Sequence, residues 1–403
     1  MALSIFTPSV TGMEAQSHAL GTVATNIANM RTIGYKANQT MFYTLLGSQP
    51  VVKGNNVELS SSRVDVDGVG YYDRTNIDAQ GTVTASSGNY DVALNGTGNA
   101  FFMLRDSSNK IYYTRAGDFG TRTEDGTTYL VSSGGLKVQG FPALEGGGFG
   151  ASPDDIVIKY PEKSPSVPTS KVEVTANVPA TGVDTSSYSI TVYGPNNDGR
   201  TMNMLFSKVE GKVNTWKLSF NIDGGTVTSP DIEAVFDSSG QLLSPKTFDL
   251  TVNWDDGSSN QVAMDISHMT QYDGSSGITH VSQDGKQSGN FVRSYIGDDG
   301  IVKATYDNGV TINMAKLAVV GFEAPNNLSP FEGTLFEATP EAGDSRYMTD
   351  TKNLIVPQAL EQSTVNAEIE FSNMIQVQRA YSLNTTSFTT ANEMLELLVN
   401  LKT

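Results

Sequence analysis

The stretch "EFSNMIQVQRAYSLNTTSFTTANEMLELLVNLKT", Glu370 to Thr403, holds no Gly and no Pro, and reads as one long helix. Ala367, Met374, Tyr381, Phe388 and Leu395 repeat every seven residues. Phe371, Gln378, Thr385, Asn392 and Val399 supply the second position of a heptad seam. The front of the chain answers it: Leu3, Phe6, Val10, Met13, Ser17, Leu20, Ala24 and Ile27 alternate steps of three and four. Such a stripe has to be covered by another helix, and each end is the obvious cover for the other. Pro8 lies near the start of the front pattern, so regular helix begins there or later. Gly12 and Gly21 each cost about 1 kcal/mol relative to Ala. Polar residues interrupt the seam, so an isolated pair is marginal. The expectation is that both ends are poorly ordered in the free chain and fold on association.

The faces outside the seam are poor in charge. From Met1 to Met30 the only charged residue is Glu14; from Gln358 to Thr403 there are seven charged residues against nineteen Ser, Thr, Asn or Gln. A surface packed against copies of itself tolerates amides and hydroxyls, which pair with any neighbour. Like charges repel there, and unpaired ones are costly to bury. This favours self-assembly over the alternative, a solvated helical hairpin capping a monomer.

A chain of 403 residues holds two or three domains, and 38% hydrophobic residues argue against global disorder. The net charge of −17 disfavours nucleic acid and anionic membranes as partners. The absence of cysteine removes disulfides, thiolate metal sites and Cys nucleophiles. No run reaches the ~18 apolar residues of a membrane span. The first Lys or Arg is Arg31, and no continuous apolar run precedes it, so the start does not read as a Sec signal. The expectation is a cytoplasmic protein or one exported without a cleaved signal peptide.

From about Val64 to Ala318 the pattern is that of β-structure. "KVEVTANV" places Val172, Val174, Ala176 and Val178 on one face; "TWKLSFNI" places Trp216, Leu218, Phe220 and Ile222; "TFDLTVNW" places Phe248, Leu250, Val252 and Trp254. Asp-Gly and Asn-Gly turns recur at Asp125, Asp223, Asp256, Asp284, Asp299 and Asn308. Boundaries fall at "EGGGFGASPDD" and "PEKSPSVPTS". The expected fold class is mixed, with long terminal α-helices pairing as a coiled coil and nested antiparallel β-rich domains of sandwich or barrel type. The expected division is 1–31 with 358–403 as paired helices and 32–63 as linker. A middle domain follows from 64–150 with 282–357, and an inserted outer domain from 151–281.

Catalytic and ligand-binding patterns do not emerge. His18, His268 and His280 lack ligand spacing. "VDVDGVG" around Asp65 and Asp67 fails as a calcium loop, because Arg63 and Arg74 occupy its first and twelfth positions. "NGTGN" at Asn95 opens no helix. The adjacent acids of "NWDDG", Asp255 and Asp256, point to opposite faces of a strand end. No G-x-S-x-G, P-loop or H-E-x-x-H occurs. No cofactor and no metal is expected.

Six segments carry a resemblance. "NIANMRTIGYKANQTMF" from Asn26 contains Asn29, Gly34, Tyr35 and Lys36, and "YDVALNGTGNAFFML" and "YTRAGDFG" follow. "VSQDGKQSGNF" and "GIVKATYDNG" lie late in the body, and "ALEQSTVNAEIEFSNMIQVQRAYSLN" contains Gln378, Arg379 and Tyr381. In order and coverage the chain resembles the flagellar hook proteins, within the wider family of bacterial axial proteins that build rod, hook and filament junction. It departs at Ser363-Thr364-Val365-Asn366, where the family has Ser-Asn-Val-Asp, and at the lengthened turn Gly96 to Phe102. The resemblance implies a structural protein rather than an enzyme, exported uncleaved through the flagellar type III apparatus. It would polymerise outside the cell into a short curved tube that joins rod to filament. Implied partners are copies of itself and the rod, hook cap and hook–filament junction proteins, with no nucleic acid and no membrane insertion. The polymerisation stripe would be Val10, Met13, Leu20, Ile27, Phe371, Met374, Tyr381, Phe388, Leu395 and Val399. Bending would fall on Gly47 to Gly54 and Glu145 to Ser170, with Thr32 to Arg63 packed between neighbours. A rod or junction protein, a secreted β-rich enzyme and an adhesin or surface-layer protein are the alternatives.

Overall fold

The computed structural model describes residues 6–45, 68–96, 98–144, 146–196, 199–348 and 351–400. Leu3, Arg63, Asp65, Asp67, Glu145 and most of the expected 32–63 linker, including Gly47 to Gly54, lie outside them. The chain is β-rich with two helices, and it divides into two compact units. The first comprises Met1–Lys159, Tyr295–Lys303 and Asn313–Thr403; the second comprises Tyr160–Ser294 and Ala304–Ile312.

The second unit carries two five-stranded sheets. One contains 171–177, 225–228, 247–254, 259–265 and 277–283; the other contains 185–192, 200–208, 215–222, 232–236 and 242–244. The period-two segments deliver their inward faces. Val172, Val174, Val178, Trp216, Leu218, Ile222, Leu250, Val252 and Trp254 are buried in one cluster with Met202, Met204 and Phe206, while Lys217, Ser219 and Asn221 stay exposed. One expectation needs correcting: the sheets are not wholly antiparallel. Lys171–Glu173 pairs parallel with Ala263–Asp265. The chain leaves this sheet after Asn177 and returns only at Gly225. A long crossover does not impose the antiparallel direction that a hairpin would.

In the first unit short strands bring early and late sequence together. Val92–Leu94 pairs with Ile355–Pro357, and Val83–Ala85 pairs with Ala359–Glu361, both antiparallel. Ala100–Arg105 pairs with Ile111–Thr114 and Val319–Gly321. Phe101 anchors the core between these strands, its ring edge-on to Phe322 and Phe336 at 5.9 and 6.0 Å. Asp125 and Gly126, both at positive φ, close the hairpin in which Glu124 faces Thr127. That is the I′ geometry the Asp-Gly signal anticipates.

Helix α1 spans Thr7–Ala28, with Pro8 in its first turn, where no intrahelical N–H is lost. Helix α2 spans Ala367–Asn400. The Asn366 side chain accepts hydrogen bonds from the amides of Glu368 (3.0 Å) and Ile369 (3.3 Å), so this departure from the family pattern still caps the helix. Strands β1 (Asn38–Leu45) and β2 (Gly68–Thr75) form an antiparallel ribbon beside α1.

Candidate assembly interface

The segment after α1 is built around Gly34. Its φ is +69°, and an added Cβ would lie 2.6 Å from the Ala116 backbone nitrogen. Only glycine fits both constraints without strain. The turn points Lys36 inward, where its ammonium meets Glu361 Oε1 at 2.6 Å and the carbonyl of Ala79. Arg115 closes the other side, its Nε 2.9 Å from Glu361 Oε2, and donates to the Ala100 carbonyl at 2.8 Å. The Gly81 amide also donates to Glu361, at 2.8 Å. All three charged side chains are buried. Burial pushes the Lys36 ammonium pKa below its ordinary value, although Glu361 opposes the shift. Two cations share one carboxylate, so removing Glu361 strands both. Breaking a buried pair in this way costs about 3–5 kcal/mol. Three segments quoted for the resemblance therefore meet at one point.

A second junction forms around Asn26, which is buried at the end of α1. Its Nδ2 donates to the Asn38 carbonyl (2.7 Å) and to Glu370 Oε1 (3.0 Å). Its Oδ1 accepts from the Asn38 amide (3.0 Å) and the Tyr35 hydroxyl (3.3 Å). One amide thus ties α1, β1 and α2 together. Burial, and then the nearby Glu370, raise the Tyr35 hydroxyl pKa.

The two helices pack antiparallel. Phe6 meets Phe388 at 5.1 Å, Thr385 reaches the Met13 sulfur at 3.4 Å, and Asn26 meets Glu370. The buried face of α1 is Ser9, Gly12, Ala15, Ala19, Val23 and Asn26. These residues are small, which permits close approach; a Cβ on Gly12 would lie 2.8 Å from Asn384 Nδ2. On the other side the ribbon is held through polar atoms. His18 Nε2 lies 2.9 Å from Asp73, its ring stacks on Tyr71 at 4.4 Å, and Thr40 donates to Asp73 at 2.8 Å.

The stripe expected from sequence is only partly covered. Met13, Leu20, Ile27, Met374, Phe388 and Leu395 are half-buried. Val10, Phe371, Tyr381 and Val399 are exposed, as are Gln378 and Arg379. Asn29 caps the end of α1 and accepts a hydrogen bond from Thr32. On α2 the second line of covered positions is Glu370, Val377, Asn384 and Ala391, one residue before the expected Phe371, Gln378, Thr385 and Asn392. Both spacings make a regular heptad seam. Asn26 and Gly12 decide between them, because Glu370 and Asn384 are the side chains they accommodate. The consequence is an α2 with many large apolar residues pointing outward: Ile369, Phe371, Ile375, Leu383, Met394, Leu397 and Val399 are all more than half exposed. Sequence reading did not single out Arg115, Glu361 or Glu370. A lone charge at the end of a short strand, as in "IYYTRA" or "QALE", is the available signal.

No group of three or more potential metal-ligating side chains occurs among the described residues, and no described helix is long and apolar enough to cross a membrane. Three family models match: the flagellar basal body rod FlgEFG protein C-terminal over residues 356–401, the flagellar basal body protein FlaE D2 domain over 161–286, and the flagellar hook protein FlgE/F/G D1 domain over 94–194. The flagellar hook protein FlgE of Brucella suis is 28% identical across 98% of this chain and 97% of its own length. That of Salmonella typhimurium is 26% identical across 98% and 100%. A crystal structure of Helicobacter pylori flagellar hook protein FlgE2 overlaps 69% of this chain and 99% of its own, at 13% identity and a TM-score of 0.48, too loosely to carry an argument. The matched models and the near-complete alignments place the chain in the flagellar rod and hook protein family, a family of structural proteins rather than enzymes.

Proposed function

We propose that this chain is a structural subunit that self-assembles into the curved, flexible tube of the flagellar hook, the universal joint that transmits torque from rod to filament. The observation that carries this reading is the outward face of α2. A line of exposed Ile, Phe, Leu, Met and Val runs along a 34-residue helix, the kind of apolar surface that marks an interaction site. Residues 1–31 and 358–403 would line the inner tube, with the helix pair continuing as a coiled coil once neighbours surround it. Residues 32–63 would link the layers. Residues 64–150 with 282–357 would form the middle layer, and 151–281 the outer one.

Val10, Phe371, Tyr381 and Val399, exposed in the single chain, would then face other copies. Met13, Leu20, Ile27, Met374, Phe388 and Leu395 would hold the pair itself. Export is read as uncleaved, through the type III apparatus, in a state where the terminal helices are not yet formed. Rod, hook cap and junction proteins are the neighbours at the two ends of the tube. The test is truncation of Gln378–Thr403: a folded β body with no tubes is expected, and tubes from the truncated chain would contradict the reading.

A further inference from the structure

A groove of about 510 Å³ lies at the head of α2, lined among others by Thr22 and Val23 of α1, Asn38 of β1, and Asn366, Glu370 and Asn373. Its polar walls are amides, hydroxyls and one carboxylate, set among the apolar side chains of Val23, Phe42, Ile369 and Val377. Glu370 is more than nine-tenths buried. Its Oε1 accepts from Asn26, and its Oε2 is buried with no hydrogen-bond partner. A buried carboxylate oxygen without a donor is costly, and is rarely kept without a reason.

The matching donor is on the same helix. Arg379 is the only Lys or Arg on α1 and α2, which carry Glu14, Glu368, Glu370, Glu393 and Glu396. It is exposed, and it makes no ion pair among the described residues. No acid stands three or four positions from it on the helix. Within one copy it cannot reach Glu370: nine positions place the two about 13.5 Å apart along the helix and on roughly opposite faces.

We infer that the groove at the head of α2 receives the Arg379 guanidinium of a second copy of this chain, with Glu370 as its acceptor. A planar guanidinium carries five donors, enough for the Glu370 carboxylate, once its side chain turns toward the groove, and for the surrounding amide and hydroxyl oxygens. Donor and acceptor lie on opposite faces of one helix, so the contact is head-to-tail. Each copy gives one contact and receives another, the arrangement that generates an open helical array. The inference rests on the self-assembly reading above and names its specific contact.

The test is a double-mutant cycle on the full-length chain: parent, Glu370→Gln, Arg379→Gln and the double variant. Folding is checked by circular dichroism, and the critical concentration for tube formation is read by sedimentation and electron microscopy. Each single variant should raise the critical concentration by about tenfold or more, and the double variant should do no worse than a single one. Singles that polymerise like the parent, or losses that multiply in the double variant, overturn the pairing and leave the self-assembly reading standing. A parent chain that forms no tubes removes that reading and the pairing with it. Arg379→Glu copies mixed with Glu370→Arg copies should co-assemble where neither does alone. Should Glu370→Arg fail to fold, the cycle of neutral variants decides. Arg31→Glu is the control; loss of assembly there, with Arg379→Gln unaffected, would assign the groove to another cation.

Discussion

The β unit around Trp216 and the paired terminal helices solve the placement of large apolar side chains in opposite ways. The β unit buries Trp216, Phe206, Met202 and Met204 between its sheets and exposes Lys217, Ser219 and Asn221. The helices turn Gly12, Ala15, Ala19 and Asn384 toward each other and leave Phe371, Leu383 and Leu397 in solvent. The first arrangement closes its core within one chain. The second becomes favourable only when something else covers α2. Low charge on the helices removes the repulsion that would oppose other copies as that cover.

The contrast can be broken most severely in its two buried centres. Phe206→Ala should cost the β unit about 3–5 kcal/mol. Both tryptophans, Trp216 and Trp254, lie in that unit, so a fluorescence-detected denaturant transition reports it alone. Glu361→Ala should cost the first unit about 3–5 kcal/mol, because Lys36 and Arg115 lose their shared carboxylate. Helical circular dichroism should move to lower denaturant while the tryptophan transition stays in place; a joint shift would show the units to be less independent than described.

Next in size is Gly34→Ala. The left-handed backbone alone costs roughly 1–2 kcal/mol for a residue with a Cβ, and the approach to Ala116 adds to it. A thermal midpoint unchanged from the parent would refute that account of the turn. Leu383→Ser sharpens the comparison from the other side. Its side chain is 69% exposed, so monomer stability should move by less than about 0.5 kcal/mol, while the yield of sedimentable polymer falls. Unchanged polymer would remove Leu383 from the interface.

The smallest effect concerns acid. Burial pushes the Asp284 carboxyl up, but hydrogen bonds from Ser170 and the Lys171 amide outweigh it and hold the pKa below the ordinary value. A depressed carboxylate contributes stability that is present above its unfolded pKa of about 3.9. That contribution is lost as pH falls through the lower folded value. Asp284→Asn should therefore lower stability slightly at neutral pH and flatten the acid limb of the tryptophan transition; an unchanged limb would contradict the assignment.

What was legible in the sequence follows from how local each signal is. "TWKLSFNI" and "TFDLTVNW" show their faces because a strand's period is contained in eight residues. The Asp125-Gly126 turn shows itself for the same reason. The parallel pairing of 171–173 with 263–265 has no local signature, since about ninety residues separate the partners. The heptad on α2 was half legible. Ala367, Met374 and Phe388 are on the covered side, but the choice between Glu370 and Phe371 as companions depends on Asn26, more than three hundred residues away. The triad was illegible as a unit for the same cause. Lys36, Arg115 and Glu361 come from three separate segments, and only the pairing of early with late strands brings them together.

The account turns on assembly, and its most direct measurement is electron microscopy of cell-surface appendages from a strain lacking this gene, beside its parent and a strain with the gene restored. The account predicts that the short curved segment is lost together with the filaments beyond it, and that both return with the gene. Intact curved segments and filaments in the deletion strain would contradict it.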